Sequence, residues 1–355
     1  MKSELPEIGK ISPEIFNELI FPRLGAKSKN ILVGPQHGVD VGIIEIGGQA
    51  VALTADPVFI VPEYGWERAA WFAIHILASD AATSGLPPRY LAIDLNLPLG
   101  MTKPALETVW ETIHRECRKM GIAVITGHTA RYDNCHFPMV GGAVVMSVGG
   151  KDEYVTPKFA RAGDQIIITK GPAIEATGLL ALLYKEDLRR ACGDAIVEAA
   201  LARCREITVV RDALIATEAG PVTAMHDATE GGVLGGLWEI AEASGAGMEI
   251  DASRMVWPED VDALCRLLAI DPLAAIAEGT LLITVTPEAA PDVIAALEDA
   301  RIPCSEIGRV TDDPSRRVIV RRDGRTEHIA VPHEDPFWPK FFAGVEKLSG
   351  KGSGP

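Results

Sequence analysis

Apolar side chains recur every three to four positions over 66–84 (Trp66, Ala69, Ala70, Ala73, Ile74, Leu77, Ala78, Ala81). That spacing predicts a helix with one buried face, ended by Gly85. A second helix is predicted over 102–120, with Pro104 near its start and Gly121 just past its end. Alternating polar and apolar positions over 90–97 predict a strand, and the apolar runs at 31–33, 122–126 and 139–148 suit a sheet. Residues 41–46 and 50–54, joined by Gly47-Gly48-Gln49, read as a hairpin. Ahead of these, Ser12-Pro13 reads as a cap and first helical position, the helix running through Phe21 and stopping near Gly25.

The second half opens with an apolar run, 164–170, that reads as a buried strand ending at Gly171-Pro172. Helices are predicted at 174–185, 194–205, 206–218, 232–244 and 291–300, and strands at 223–225, 281–286 and 318–320. The glycine-rich stretch around Gly149-Gly150 marks a boundary. The expected organisation is an α/β (α+β) chain with a first domain at 1–150, a second at 151–345, and a disordered tail at 346–355.

Composition narrows the options. The 355 residues carry a net charge of -15, and no run of Lys or Arg stands out. A general grip on nucleic acid, which needs a basic face, is therefore not expected. An acidic protein still binds a polyanion when metal ions bridge the two. No stretch of 18 apolar residues occurs, so no membrane span is expected. The opening residues lack the apolar core of a secretory signal. The six cysteines are scattered without a C-x-x-C pair, which suggests a reducing cytoplasm and no structural zinc site.

Three aspartates of the first half stand at element ends beside glycine or proline: Asp40 after Gly38, Asp56 before Pro57, and Asp80 ahead of Gly85. Carboxylates are suitable hard ligands for Mg²⁺, and gathering several of them without a cation is costly. Read singly, each also suits a turn or cap. The run Asp227-Ala228-Thr229-Glu230-Gly231-Gly232 lies between a strand and a helix. Paired glycines there let a backbone approach a phosphate at a helix N-terminus, or simply allow close packing. It is not a P-loop, since G-x-x-x-x-G-K-[ST] is absent. Gly127-His128-Thr129 ends a strand. Lys170, before Gly171, could bring an ammonium to a phosphate or serve as an ordinary loop lysine.

Taken in order, Gly34-Pro35…Gly38-x-Asp40, Thr54-Ala-Asp56-Pro57, Ser79-Asp80…Gly85-x-Pro87, Gly127-His128-Thr129 and Asp227-x-Thr229-x-Gly231-Gly232 resemble the motifs of the PurM-like, AIR synthase-related ATP-binding superfamily. Aminoimidazole ribonucleotide synthetase, selenophosphate synthetase, thiamine-monophosphate kinase and HypE are members. The later stretches Asp271-Pro272-Leu273, Glu278-Gly279 and Ile307-Gly308-Arg309-Val310 are most similar to the HypE branch.

The resemblance implies a first domain whose mixed sheet pairs with a second copy, a second α/β domain, and a cleft for ATP and Mg²⁺. It implies Asp40, Asp56, Asp80 and Asp227 as metal ligands, with Asp80, Asp227 and Thr229 in the chemistry. Gly38, Asp40, Asp56, His128, Thr129, Lys170, Gly231 and Gly232 would contact the nucleotide or its phosphates, the last two leaving room for substrate or phosphate. The implied reaction is phosphorylation of a carbonyl or amide oxygen, on a small molecule or a protein, for dehydration or cyclisation. Hydrogenase or other metalloenzyme maturation is the implied setting. A small-molecule kinase and a non-catalytic nucleotide-binding assembly partner are the alternatives. The chain departs from the pattern at three places. Val39-Asp40 replaces a doubled Asp, Gly127-His128-Thr129 replaces Gly-Asp-Thr, and Glu230 stands where HypE-like chains often carry Arg. It also lacks HypE's terminal cysteine, its last cysteine being Cys304.

Overall fold

Gly47 and Gly48 both take positive φ (59° and 82°) and close the predicted hairpin with Ile46 opposite Gln49. Two left-handed residues in a row match the twist of the strands they join. The computed structural model describes Leu5, residues 11–330 and residues 334–349. Near the start, α1 (Pro13–Ile15) is capped by Ser12 Oγ, then widens into a π turn (Phe16–Ile20) and tightens into a 3₁₀ turn (Phe21–Arg23). The predicted regular helix is thus broken before Pro22, whose missing N–H and ring cannot continue it.

The first sheet contains β1 (Ile31–Val33), β2 (Gly42–Ile46), β3 (Gln49–Phe59), β4 (Pro88–Pro98), β5 (Ala123–Tyr132) and β6 (Met139–Gly150), in the order β1-β2-β3-β6-β4-β5. Between the strands run α2 (Trp66–Ala82) and α3 (Lys103–Met120), the latter ended by Gly121 at φ 74°. β5 pairs parallel to β4 and is an edge strand, exposed along nearly its whole length.

The second part of the chain forms β7 (Gln165–Thr169), α4 (Ile174–Leu183), α5 (Lys185–Cys192), α6 (Asp194–Ala202), α7 (Val210–Ala219), β8 (Val222–Asp227) and α8 (Gly232–Ser244). It continues through β9 (Gly247–Asp251), α9 (Glu259–Leu268), β10 (Leu281–Val285), α10 (Ala290–Asp299), β11 (Cys304–Thr311), β12 (Arg317–Val320) and β13 (Thr326–His328). Its sheet runs β13-β12-β9-β11-β7-β10-β8, antiparallel except where β12 meets β9. Last comes α11 (Phe337–Ser349). Residues 346–349 of the expected tail therefore form its final turn, because Phe337 and Phe341 bury against α4 and anchor the helix. Residues 350–355 lie outside the described part. Among the described residues, no helix is long and apolar enough to cross a membrane.

α2 positions the site. Its Ile74, Leu77 and Ala78 share one core with Ile167 of β7, Met225 of β8 and Ile283 of β10. Ser79, at its C-terminal end, accepts a hydrogen bond from the Val209 N–H at 2.9 Å. The helix thus belongs to the first sheet by chain and to both sheets by packing, and it delivers Asp80 to the seam between them.

Candidate functional site

Four chain segments meet at that seam. Asp80 comes from the last turn of α2 and Asp227 from the end of β8; Glu278 follows α9 in the turn before β10. One carboxylate oxygen from each lies within 4.8 Å of the others, and all three residues are buried. The 34–40 loop brings Asp40 alongside. Gly38 makes this approach possible: at φ 72° a Cβ there would sit 2.3 Å from the carbonyl oxygen of Glu239 in α8. Gly38, expected beside the nucleotide, is thus used to seat the loop on the second domain.

His226, fully buried, stands between Asp40 (Nδ1 to Oδ2, 2.9 Å) and Glu239 (Nε2 to Oε2, 2.6 Å). Burial alone would favour the neutral ring, but the carboxylates of Asp40 and Glu239 outweigh it and raise the imidazole pKa well above its usual value. The surroundings therefore favour the imidazolium, with Nε2 bonded to Glu239 and Nδ1 facing Asp40. Its Nδ1 is also 3.7 Å from Asp227 Oδ1. Burial pushes the Asp227 pKa up, and His226 more than compensates, so Asp227 is held ionised.

Asp80 and Glu278 are in the opposite position. Burial first, and then the charge of Asp227, raise both pKa values well above the ordinary carboxylate range. Both oxygens of Asp227 and both of Glu278 lack a well-aligned partner among the described residues, so without a cation only the protons retained by Asp80 and Glu278 offset the gathered charge. Buried carboxylate oxygens without donors are costly and rare. An oxygen-only set of this kind fits a hard divalent cation such as Mg²⁺. The alternative group, Asp40, His226 and Asp227, also has ligand atoms within 4.8 Å. Its imidazolium is already held on both sides, which leaves no free lone pair for a metal.

Asp56 joins through Thr54, whose Oγ1 lies 2.9 Å from Asp56 Oδ2 and 2.9 Å from Asp80 Oδ2. Beyond Asp56 the face of the first sheet opens into a hollow of about 470 Å³ lined by Asp56, Pro57, Asp94, Gly127 and Gly142 among others. His128 and Thr129 lie on β5 at the rim, opposite Asp94 and Leu95. His128 Nε2 is 3.1 Å from the Tyr132 hydroxyl. These two therefore border the hollow and not the carboxylate cluster.

Three expected contacts have other occupants. Lys170 Nζ is 2.9 Å from Asp212 Oδ1 and donates to the carbonyls of Thr208 (2.7 Å) and Glu206 (3.4 Å), so its ammonium is turned away from any phosphate. The Gly231 N–H donates to Asp335 Oδ2 at 2.8 Å. A Cβ on Gly232, at φ 61°, would lie 2.5 Å from the Ala275 carbonyl oxygen, so this glycine admits backbone and not substrate. Thr229 holds the turn: its N–H donates to the Asp227 carbonyl (3.0 Å) and its carbonyl accepts from Gly232 (2.9 Å).

Sequence reasoning missed Glu278, His226, Asp94 and Glu175. The only available signals were Glu278-Gly279 before an apolar strand, and His226 beside Asp227 at a strand end. Asp94, with one buried oxygen lacking a partner, is one polar residue in an alternating strand. Glu175, at the start of α4, accepts the Glu278 N–H at 3.2 Å; burial pushes its pKa up to about 8.

Comparison with known proteins agrees with this architecture. Among curated relatives, carbamoyl dehydratase HypE of Rhizobium leguminosarum bv. viciae is 28% identical over 266 residues, 73% of each chain. A solved structure of the hydrogenase maturation protein HypE in complex with ATP matches with a TM-score of 0.66 at 21% identity, covering 93% of this chain and 97% of that one. A ThiL structure complexed with AMPPCP and TMP matches with a TM-score of 0.68 at 22% identity, covering 89% and 96%. The model of the AIR synthase related protein N-terminal domain matches residues 38–149, and that of the C-terminal domain matches residues 161–321. With both domain models matched in order and the fold shared, this chain belongs to the AIR synthase related protein family, in its two-domain PurM-like form close to HypE.

Proposed function

We propose that the protein is an ATP- and Mg²⁺-dependent enzyme that phosphorylates a carbonyl or amide oxygen, activating it for dehydration or ring closure. The observation that carries this reading is the buried trio Asp80, Asp227 and Glu278, whose oxygens converge within 4.8 Å with no paired cation from a Lys or Arg side chain among the described residues. A carbonyl oxygen is a poor leaving group, and a phosphorylated one is good. Moving a terminal phosphoryl group needs mainly positioning and nearby cations. Mg²⁺ held by the trio would neutralise charge on the phosphates. His226 keeps Asp227 ionised and ready to ligate, and Asp40 ties the first-domain loop to it. The hollow beyond Asp56 offers space for the nucleotide or acceptor next to the cluster.

The bare edge strand β5, with Val124, Ile125 and Tyr132 exposed, supports pairing with a second copy. Free cysteines throughout the described chain suit a reducing cytoplasm. A role in hydrogenase or other metalloenzyme maturation rests on the HypE relatives.

Calorimetry with ATP and Mg²⁺ tests the site. Asp80→Asn and Asp227→Asn should each weaken Mg-ATP binding by about tenfold or more, roughly 1.4 kcal/mol, while the protein stays folded. Unchanged affinity in both variants sinks the cluster as the metal site. Following phosphorus by NMR across candidate acceptors then separates the chemistries. Free phosphate with a dehydrated or cyclised product supports activation. A stable phosphorylated product indicates a small-molecule kinase, and binding with no ADP formed indicates an assembly partner.

A further inference from the structure

We infer that a second, unrelated groove, of about 250 Å³ and lined by Trp66, Arg68, Trp71 and Arg205 among others, binds a small anion carried on a planar ring. It lies where α2 begins and where the chain turns through 203–205. Asp80 is nine residues beyond Trp71 on the same helix, about 14 Å at 1.5 Å per residue. The two sites share a helix and no lining residue.

The walls suit such a ligand. Trp71 is stacked on His75 with ring centroids 3.9 Å apart and planes 23° from parallel, so its indole is held in place from one side. The Arg205 guanidinium stands 6.0 Å from the Trp71 ring centroid, and Trp66 supplies a further aromatic surface. The buried Trp71 forms the floor, and the partly exposed Trp66 beside the exposed Arg68 and Arg205 favours a ring that bears an acid: the ring packs on the indole and a planar fork grips the acid in two places.

The charges point the same way. Among the described residues, neither Arg68 nor Arg205 enters an ion pair, although the chain has a net charge of -15. Arg68 spends one N–H on the Tyr64 carbonyl at 3.4 Å. Arg203, two positions from Arg205, is by contrast fully engaged, gripping Asp260 at 2.8 and 2.9 Å and Glu206 at 2.8 Å. The acid at the lip of the groove, Glu67, is paired to Arg115 at 2.9 Å. Both unpaired guanidiniums act on the Cys204 thiol, pulling its pKa down against burial, which still leaves it at about 11. The first turn of α2 has no side-chain cap, so its N–H groups add to the same positive potential. The volume suits one ring with one acidic group, below the usual range for larger ligands.

The test uses the full chain, with calorimetry and saturation-transfer NMR, and four probes: benzoate, phenyl phosphate, the neutral isostere benzamide, and inorganic phosphate. Benzoate or phenyl phosphate should bind saturably, and the stronger of the two identifies the acid as carboxylate or phosphate. Benzamide and inorganic phosphate should bind at least about tenfold more weakly. Arg205→Gln and, separately, Arg68→Gln should each cost about tenfold in affinity for the better probe. Both side chains are exposed, and having two variants guards against one misfolding. Asp80→Asn should leave this binding unchanged while weakening Mg-ATP, so failure here is distinguishable from failure of the nucleotide site. Saturation absent up to about 10 mM, benzamide or inorganic phosphate matching the ring acids, or full binding in both arginine variants would each overturn the assignment.

Discussion

Two buried clusters of charge, each at the seam between the sheets, differ in whether they are complete. Lys170 and Asp212 form a closed, charge-balanced unit: the ammonium stands 2.9 Å from Asp212 Oδ1, which has no other partner, and donates to two carbonyls, and neither side chain is more than 7% exposed. Asp80, Asp227 and Glu278 form an open one, with three carboxylates and one neighbouring imidazolium that is already shared with Asp40 and Glu239. Burial is equal in the two places, so it does not separate structure from function. What separates them is the balance of charge: one cation faces one carboxylate in the first, and three acids crowd together in the second. A cluster whose charges are balanced from within serves the fold, and a cluster with an excess of acidic groups is built for a cation the chain does not supply.

The sharpest way to break that contrast is to damage the closed unit. Lys170→Met leaves Asp212 buried without its cation, and removing one partner of a buried pair costs about 3–5 kcal/mol. Urea denaturation should show this loss, with Mg-ATP affinity per folded molecule unchanged. If the variant keeps its stability and loses nucleotide affinity, Lys170 belongs to the phosphate site after all.

A second test uses pH on the open cluster. Asp80, Glu278 and Glu175 have raised pKa values in the folded state, chiefly through burial. A raised carboxylate pKa gives stability that is fully present below the unfolded value and is lost as pH rises through the folded one. For Glu175 that window runs from 4.5 to about 8. His226, raised from 6.5, acts in the same direction. Asp227 is lowered and acts only at lower pH. In EDTA the melting temperature should therefore fall between pH 5 and 8, and Mg²⁺ should flatten the fall. Each tenfold in proton affinity is worth about 1.36 kcal/mol, so Glu175→Gln should recover on the order of 2 kcal/mol at pH 8 after relaxation is allowed for. A pH profile identical in wild type and Glu175→Gln would mean that the open cluster is better solvated than its burial implies.

The two clusters also mark the limit of what the residue order reveals. Local structure was readable: the Gly47-Gly48 hairpin and the spacing of α2 and α3 depend on neighbours a few residues apart. The four aspartates were readable too, as ordered motifs, and the fold brings them into one neighbourhood. Glu278 was not, since a single glutamate before a glycine has no period and acquires meaning only when a strand from 50 residues away lies beside it. The order of the second sheet was hidden for the same reason. β7 is flanked by β10 and β11, more than 100 residues later. Lys170 was ambiguous because a lysine before glycine looks alike whether it faces a phosphate or a buried aspartate.

The smallest expected effect probes the contrast at a single hydroxyl. Thr54 Oγ1 is 2.9 Å from a carboxylate oxygen on each side, Asp56 and Asp80, yet a hydroxyl has one proton to give. It donates to one and must accept from the other, so one of the two acids carries a proton; the raised pKa of Asp80 identifies it as that acid. When a cation holds Asp80 ionised, the proton leaves and Thr54 is left with one bond to make. Thr54→Val, close to isosteric, should thus cost about 1 kcal/mol in EDTA near pH 6 and measurably less with saturating Mg-ATP, by urea denaturation in the two conditions. An equal cost in both would mean that the hydroxyl does not sense the charge on Asp80. The open cluster would then hold its carboxylates in the same state with and without the ion, as the closed Lys170–Asp212 unit does.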